Sequence, residues 1–92
     1  DLIVGNKTRK LAIECKITKD SKKYFTNEEI EALKEFSDIF GAEPWIAVKF
    51  KKTDWFFLTL EDLNRSNKCY IADVNMAKTK GLLINELISD NY

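Results

Sequence analysis

Apolar and polar residues alternate along residues 1–19, and this period of two predicts a β-hairpin. A polar segment at residues 6–9 divides the pattern and predicts the turn. The apolar positions that share one face are Leu2, Val4, Leu11, Ile13, Cys15 and Ile17. We therefore expect Cys15 to be a buried, inert thiol on the core face of the second strand.

The register of this hairpin follows from the position of its turn. A turn centred on residues 7 and 8 places Leu2 opposite Ile13 on the apolar face, and Asp1 opposite Glu14 on the other face. Carboxylates at opposed positions of neighbouring strands have Cβ atoms ~5 Å apart and repel each other. Folding gains nothing from such a pair, so the pattern indicates a functional use of the two acids.

A helix is predicted after the hairpin, because Thr26 and Glu29 have the spacing of a capping box. Apolar residues follow at helical spacing, at Ile30, Leu33, Phe36, Ile39 and Phe40. Gly41 suits the left-handed position that ends a helix. Residues 20–26 show no periodicity and are interpreted as an exposed basic loop.

Strands and helices are also predicted in the second half of the chain. Apolar runs predict strands over residues 45–50, 55–60 and 69–74, a loop or short helical turn over 61–68, and an amphipathic helix over 79–89. The resulting order, β-β-α-β-β-β-α, predicts an α/β fold in which helices flank a mixed β-sheet. No repeat or flexible linker interrupts it, so residues 1–92 are interpreted as one domain.

The composition is that of a globular protein, with 92 residues of which 45% are hydrophobic and 33% charged. The apolar runs are far shorter than the ~20 residues of a transmembrane helix, so no membrane partner is expected. Two cysteines without a readable export signal favour the cytoplasm. Because the chain opens at an aspartate and lacks an initiator methionine, we interpret it as N-terminally truncated.

Charge is unevenly distributed, although the formal net charge is zero. Residues 1–25 carry seven Lys or Arg and three Asp or Glu, whereas residues 26–43 carry six acids and one lysine. Such a division can present one basic face to a polyanion. An ordinary mixed surface accounts for the charges equally well, so both interpretations stay open.

The chain contains no histidine, which excludes histidine-based acid–base catalysis, Ser–His and Cys–His pairs, and histidine-containing zinc sites. Asp1, Glu14 and Lys16 share one face of the predicted hairpin. The two carboxylates and the Cys15 carbonyl would offer Mg²⁺ hard oxygen ligands, beside a lysine that can hold water or phosphate oxygens. The alternative is a solvated face with a Glu14–Lys16 ion pair.

Two segments, DLIVGN at residues 1–6 and IECKITK at residues 13–19, resemble the PD-(D/E)xK nuclease motif. More specifically, they resemble the archaeal Holliday junction resolvases. The similarity continues through residues 35–37, 40–41 and 47–50 and Trp55, whereas residues 61–92 match only in general layout. The resemblance implies a restriction-endonuclease-like fold.

The resemblance also implies a Mg²⁺-dependent endonuclease, with Mn²⁺ as a substitute and no small-molecule cofactor. It implies a homodimer that cuts opposing strands of four-way junction DNA. By position, Asp1 and Glu14 match the metal-binding acids, and Lys16 matches the catalytic lysine. Phe36 and Phe40 match residues linked to the dimer and junction-binding surface, with core packing as the alternative.

Candidate contacts to DNA phosphates lie in the turn and in the basic loop, and such contacts position DNA without reading its sequence. They are Lys7, Arg9, Lys10, Lys19, Lys22 and Lys23, and Tyr24 is a candidate for stacking at the junction. A solvated surface is the alternative. This chain lacks the family's N-terminal helix with its further active-site glutamate, so weak activity or none is expected of these residues alone.

Two other functions remain open for the same pattern. One is a different PD-(D/E)xK nuclease that acts on nicked, flapped or sequence-specific DNA. The other is a non-catalytic dimeric module for DNA binding or protein interaction. Stabilisation by Mg²⁺ would separate a metal site from an ordinary hairpin face.

Overall fold

The computed structural model describes residues 2–5 and 8–89. Its elements in chain order are β1 (Leu2–Gly5), β2 (Lys10–Ile17), β3 (Lys22–Thr26), α1 (Asn27–Phe40), β4 (Glu43–Lys49), β5 (Trp55–Leu58), a 3-10 turn (Leu60–Asp62), β6 (Asn64–Arg65), β7 (Cys69–Asp73), α2 (Val74–Lys80) and α3 (Ile84–Leu87). Helices flank a mixed sheet, as predicted. In the described part of the chain, no helix has both the length and the apolar composition needed to cross a bilayer.

The larger sheet has the strand order β1-β2-β4-β5. β1 and β2 form the predicted antiparallel hairpin, and Leu2 lies opposite Ile13 as the turn position required. β2 and β4 are parallel, and β5 returns antiparallel to β4. Asp1 lies outside the described residues, so its predicted pairing with Glu14 stays a prediction.

Helix α1 connects the parallel strands β2 and β4, and both of its ends are capped as predicted. Thr26 Oγ1 accepts the Glu29 N–H at 3.1 Å, and Glu29 Oε1 accepts the Thr26 N–H at 3.0 Å. At the other end Gly41 is left-handed, with φ 61°. Lys10 Nζ, at the start of β2, donates to the Phe40 carbonyl at 2.9 Å. The last turn of the helix therefore lies at the first residue of the strand.

A second sheet, with the order β3-β7-β6, contains the segment predicted to be a loop. That prediction was wrong: Lys22–Thr26 form β3, which pairs antiparallel with β7 and places Phe25 opposite Tyr70. Phe25 is fully buried, which supplies the burial that stabilises this short strand. Its partner is more than forty residues away in sequence, so no local period reveals the pairing.

Two apolar clusters cover opposite faces of the larger sheet. Under α1 and the second sheet lie Ala12, Phe25, Ile30, Leu33, Ile46, Val48 and further apolar residues. On the other face, Leu11, Ile13, Trp45, Ala47 and Phe57 pack with Leu87 of α3. Because both faces are covered, β4 is buried continuously from Trp45 to Val48.

The predicted burial of Cys15 was wrong, since Cys15 is exposed. It continues the row of Leu11 and Ile13 on β2, but only the first part of that row is buried. Cys15 lines an open apolar cavity of about 200 Å³ between the sheet and α3. Partial desolvation raises the pKa of its thiol above the usual value.

The single C-terminal helix predicted over residues 79–89 was also wrong, because two short helices take its place. Asp73 Oδ1 accepts the N–H groups of Asn75 and Met76, at 2.8 and 3.2 Å, and so starts α2 early. After α2 the chain is extended at Leu82, which exchanges backbone hydrogen bonds with Phe57 at 2.8 and 2.9 Å. Pairing with the sheet edge thus separates α2 from α3.

Candidate active site

Glu14 and Lys16 lie together on β2, on the side of the larger sheet that faces α1. They share this side with Ala12, which is buried under the helix. The side chains of Glu14 and Lys16 are 20% and 34% exposed, and Lys16 Nζ lies 4.0 Å from Glu14 Oε2. The structure therefore brings these two predicted site residues together at a half-buried rim of the sheet.

Glu29 joins this pair from the first turn of α1. Its Oε2 lies 3.6 Å from Lys16 Nζ, whereas Glu14 Oε2 lies 4.0 Å from the same atom. The backbone N–H of Thr26 lowers the pKa of Glu29, and the positive charge of Lys16 lowers it further. The Lys16 ammonium is thus held between carboxylates from a strand and from a helix.

The sequence pattern predicted Glu29 only as part of the capping box, so its contact with Lys16 was missed. The strand–helix–strand order of the sequence could have revealed it, because a helix that joins two parallel strands runs antiparallel to them. In the structure, α1 packs in this way against β2. The last turn of the helix lies at Lys10, and a helix of fourteen residues spans ~21 Å, close to the length of an eight-residue strand. The first helical turn must then return to the carboxyl end of β2, near Lys16.

The backbone carbonyl of Cys15 is turned toward the β1 side of β2. The Thr18 N–H donates to Lys49 O on β4 at 3.0 Å. The Thr18 N–H and the carbonyl of Lys16, two residues earlier, therefore both face β4. Because carbonyl directions alternate along a strand, the Cys15 carbonyl faces the opposite side. The pairing of β1 with β2 is described up to Leu2 and Ile13. The Cys15 carbonyl therefore points to the β1 side of β2, beyond the last described pair of that ladder.

Glu14 and the Cys15 carbonyl supply hard oxygen donors of the kind that Mg²⁺ prefers. Among residues 2–5 and 8–89, no group of three or more acidic, cysteine or histidine side chains is arranged to hold a metal ion. The third predicted donor, Asp1, lies outside those ranges. The predicted metal ligands that lie within the described residues are thus one carboxylate and one carbonyl. Both are oxygen donors of the kind that a hard cation binds.

Several predicted DNA contacts lie at the same end of β2 as Lys16. Lys19 and Lys22 are exposed, Lys23 is half-buried, and Tyr24 is exposed on the outer face of β3. Lys22, Lys23 and Tyr24 also line an open depression of about 360 Å³ beside the turn that follows β2. These residues therefore form a basic surface that begins just after the Glu14–Lys16 pair.

Arg9 and Lys10 lie at the opposite end of β2, about 20 Å along the strand from Lys16. Arg9 binds both carboxylate oxygens of Glu43, at 2.8 and 2.9 Å, and the Leu87 carbonyl at 2.8 Å. The hydrogen bond from Arg9 lowers the pKa of Glu43. Both basic residues therefore hold elements of the fold together. Lys7 lies outside the described residues.

Phe36 and Phe40 lie in contact near the end of α1, with ring centroids 4.8 Å apart and a tilt of 56°. Phe36 packs against the core beneath the helix. Phe40 is exposed, and so is its neighbour Ile39. The apolar stripe of the helix thus begins in the core and ends on the surface.

Comparison with known proteins gives the same family by sequence and by structure. The archaeal Holliday junction resolvase family, Hjc, matches over residues 1–91. The crossover junction endodeoxyribonuclease Hjc of Methanocaldococcus jannaschii is 40% identical over 73 residues, which are 79% of this chain and 54% of that protein. The protein of the same name from Archaeoglobus fulgidus is 36% identical over 73 residues, with the same shares. The chain thus spans about half the length of these curated relatives.

A solved structure has the same fold. It is Archaeoglobus fulgidus Hjc, described as a Holliday junction resolvase from an archaeal hyperthermophile. The two chains superpose with a TM-score of 0.87 at 33% identity, over 95% of this chain and 76% of that one. The predicted restriction-endonuclease-like arrangement of a mixed sheet and flanking helices is confirmed by this match.

Proposed function

The chain belongs to the archaeal Holliday junction resolvase family, and from this premise we propose that the protein cuts four-way DNA junctions by metal-dependent hydrolysis of phosphodiester bonds. The observation that carries the proposal is that Lys16 Nζ lies 4.0 Å from the Glu14 carboxylate with both side chains largely buried, whereas the alternative predicted a solvated face. A carboxylate, a carbonyl and a lysine at one strand end suit phosphodiester chemistry in a protein without histidine.

The metal in this proposal is Mg²⁺, with Mn²⁺ as a substitute. Glu14, the Cys15 carbonyl and Asp1 would hold it, since all three supply hard oxygen donors. When bound, such an ion stabilises negative charge on the phosphate and lowers the pKa of a bound water. Lys16 donates hydrogen bonds from its ammonium and so orients the attacking water or a phosphate oxygen.

The DNA surface in this proposal is formed by the residues that follow β2. Lys19, Lys22 and Lys23 contact phosphates, and Tyr24 stacks at the junction. Their grouping at the Lys16 end of the strand supports this assignment. Arg9 and Lys10, in contrast, are engaged with Glu43, Leu87 and Phe40, and we assign them a structural role.

Cutting two opposing strands requires two active sites, so we propose a homodimer. The apolar end of α1 is the proposed interface, because Ile39 and Phe40 lack cover within the described chain and Phe40 contacts the half-buried Phe36. The geometry of the dimer would then select branched DNA. Both cysteines are free thiols, which agrees with a reducing cytoplasm.

The first experiment is a cleavage assay with the protein encoded by the complete reading frame. An immobile four-way junction and a linear duplex of matched sequence are compared in Mg²⁺. Glu14→Ala and Lys16→Ala should each lower the single-turnover rate about 100-fold or more, a typical loss for a group that acts in proton transfer or its positioning. Glu31→Ala and Lys34→Ala, which break an exposed ion pair on α1, serve as matched controls.

Each outcome has a definite meaning. Paired nicks in opposing strands of the junction alone, lost in both site variants and kept in both controls, support the proposal. Cleavage of linear and branched DNA alike would retain the nuclease and reject junction selectivity. DNA binding without cleavage would favour a non-catalytic module of the same fold.

A further inference from the structure

We propose that Glu29 is a positioning residue that holds the Lys16 ammonium in place for cleavage. The inference rests on the proposed function and adds to it a residue from the helix. Lys16 Nζ lies 3.6 Å from Glu29 Oε2 and 4.0 Å from Glu14 Oε2. The helical carboxylate is therefore the nearer partner of the proposed catalytic lysine.

The two oxygens of Glu29 have separate partners. Oε1 accepts the Thr26 N–H at 3.0 Å as part of the capping box, whereas Oε2 faces Lys16. The Thr26 hydroxyl completes the box by accepting the Glu29 N–H at 3.1 Å. The cap thus fixes the carboxylate before the lysine is considered, so holding Lys16 costs little additional side-chain entropy.

Lys16 needs such a partner because its ammonium lies at the end of a flexible four-carbon chain. Glu14 is a proposed metal ligand, and its negative charge would be shared with a cation. The charge of Glu29 would then remain available to Lys16. Since Glu29 comes from α1 and Lys16 from β2, the contact also couples the helix start to the end of the strand.

The test uses Glu29→Gln in the protein encoded by the complete reading frame. Glutamine retains a carbonyl oxygen for the Thr26 N–H and suits a capping box, but its amide cannot attract an ammonium. Two controls separate charge from stability. Glu28→Gln removes the same charge from an exposed neighbouring position. Thr26→Ala removes the reciprocal capping bond and leaves the charge of Glu29 intact.

We expect Glu29→Gln to lower the single-turnover rate at saturating junction about fivefold, as for a partly exposed ion pair. Junction affinity should stay near the wild-type value, and the melting temperature should fall only by the few degrees that the loss of one partly exposed ion pair implies. Glu28→Gln should keep the wild-type rate. Thr26→Ala should lower the melting temperature and lower the rate less than Glu29→Gln does, because the Thr26 N–H and the charge of Glu29 remain.

A second measurement needs neither metal nor DNA. Chemical unfolding of Lys16→Gln, Glu29→Gln and the double variant forms a double-mutant cycle. We expect the effects on the unfolding equilibrium constant to be non-additive by about two- to fivefold. Additive effects would show that the two side chains are uncoupled and would overturn the proposal.

Other results also decide the matter. An unchanged rate in Glu29→Gln, with Lys16→Ala inactive, would overturn the role of Glu29 and keep the proposed nuclease. A rise in junction affinity with an unchanged cleavage rate would show that the charge of Glu29 only repels DNA. That result would reject the positioning role. Failure of the wild-type protein to cut any DNA would reject the proposed function, while the unfolding cycle would still report the Lys16–Glu29 contact.

Discussion

At the scale of single residues, Arg9 connects segments that are distant in sequence. Its guanidinium binds both oxygens of Glu43, at the start of β4, and the carbonyl of Leu87 in α3. A planar guanidinium suits a carboxylate because two parallel hydrogen bonds form at once. Arg9 therefore contributes to the fold, and the phosphate contact predicted from its position beside Lys10 stays a prediction.

The Arg9–Glu43 pair predicts how acid affects stability. Because the folded protein lowers the pKa of Glu43 below its ordinary value of 4.5, the pair stabilises the fold above that pH, and this stability is lost as pH falls through the lowered value. Glu43→Gln should lower the free energy of unfolding at pH 7 and should lose less stability than wild type on acidification. Urea unfolding at pH 7 and at a pH below the lowered pKa of Glu43 measures the difference.

Glu35→Gln, at an exposed position of α1, is the control for this experiment. It should follow the wild-type dependence on pH. An equally large acid loss in wild type and in Glu43→Gln would contradict the assignment. Glu29 shifts in the same direction as Glu43, so some acid sensitivity should remain in the variant.

At the scale of elements, α1 shows how local chemistry sets the bounds of a helix. The capping box at Thr26 and Glu29 begins it, and the left-handed Gly41 ends it. The Gly41 N–H bonds to Asp38 O at 3.2 Å, and the Ala42 N–H bonds to Ser37 O at 2.8 Å. These bonds satisfy carbonyls that have no partner within a helix end.

Gly41→Ala should therefore destabilise the protein by about 1 kcal/mol, since a Cβ disfavours the left-handed conformation. Apart from its chain neighbours, no described residue has an atom within 4 Å of the place that this Cβ would occupy, so the loss reflects backbone strain and not a clash. Gly41→Asn should cost less, because asparagine tolerates this conformation. Urea unfolding of both variants measures the losses. Equal losses for alanine and asparagine would contradict this explanation.

At the scale of the whole molecule, the larger sheet is covered on both faces by elements that are distant in sequence. α1 and the second sheet cover one face, and α3 covers part of the other. Leu87 is 0% exposed and packs against β2, β4 and β5, whereas its neighbour Ile88 is 53% exposed. A helix of four residues thus completes the second core.

Leu87→Ala should consequently destabilise the protein by about 2–5 kcal/mol, the usual cost of a cavity in a core. That is a large part of the ~5–15 kcal/mol that stabilises a typical domain. Ile88→Ala should change stability by less than about 1 kcal/mol, because its side chain is largely in water. Thermal and urea unfolding compare the two. Similar losses of stability would contradict the different burial of the Leu87 and Ile88 side chains.

The sequence by itself determined the elements whose signals are local. The hairpin register follows from a period of two and a turn position, and α1 follows from its caps and its apolar spacing. The pair of Glu14 and Lys16 on one face follows from strand geometry alone. The family resemblance follows from the motif in this hairpin together with similar residues as far as Trp55, and the family matches over residues 1–91.

The tertiary structure decided what depends on partners that are distant along the chain. β3 exists because it pairs with β7, and α2 and α3 are separate because Leu82 pairs with Phe57. The exposure of Cys15 likewise depends on which elements cover its face of the sheet. The same holds for Glu29, which meets Lys16 only after α1 has packed against β2. Local patterns report which conformation a segment prefers, whereas burial and contact depend on which surface covers it.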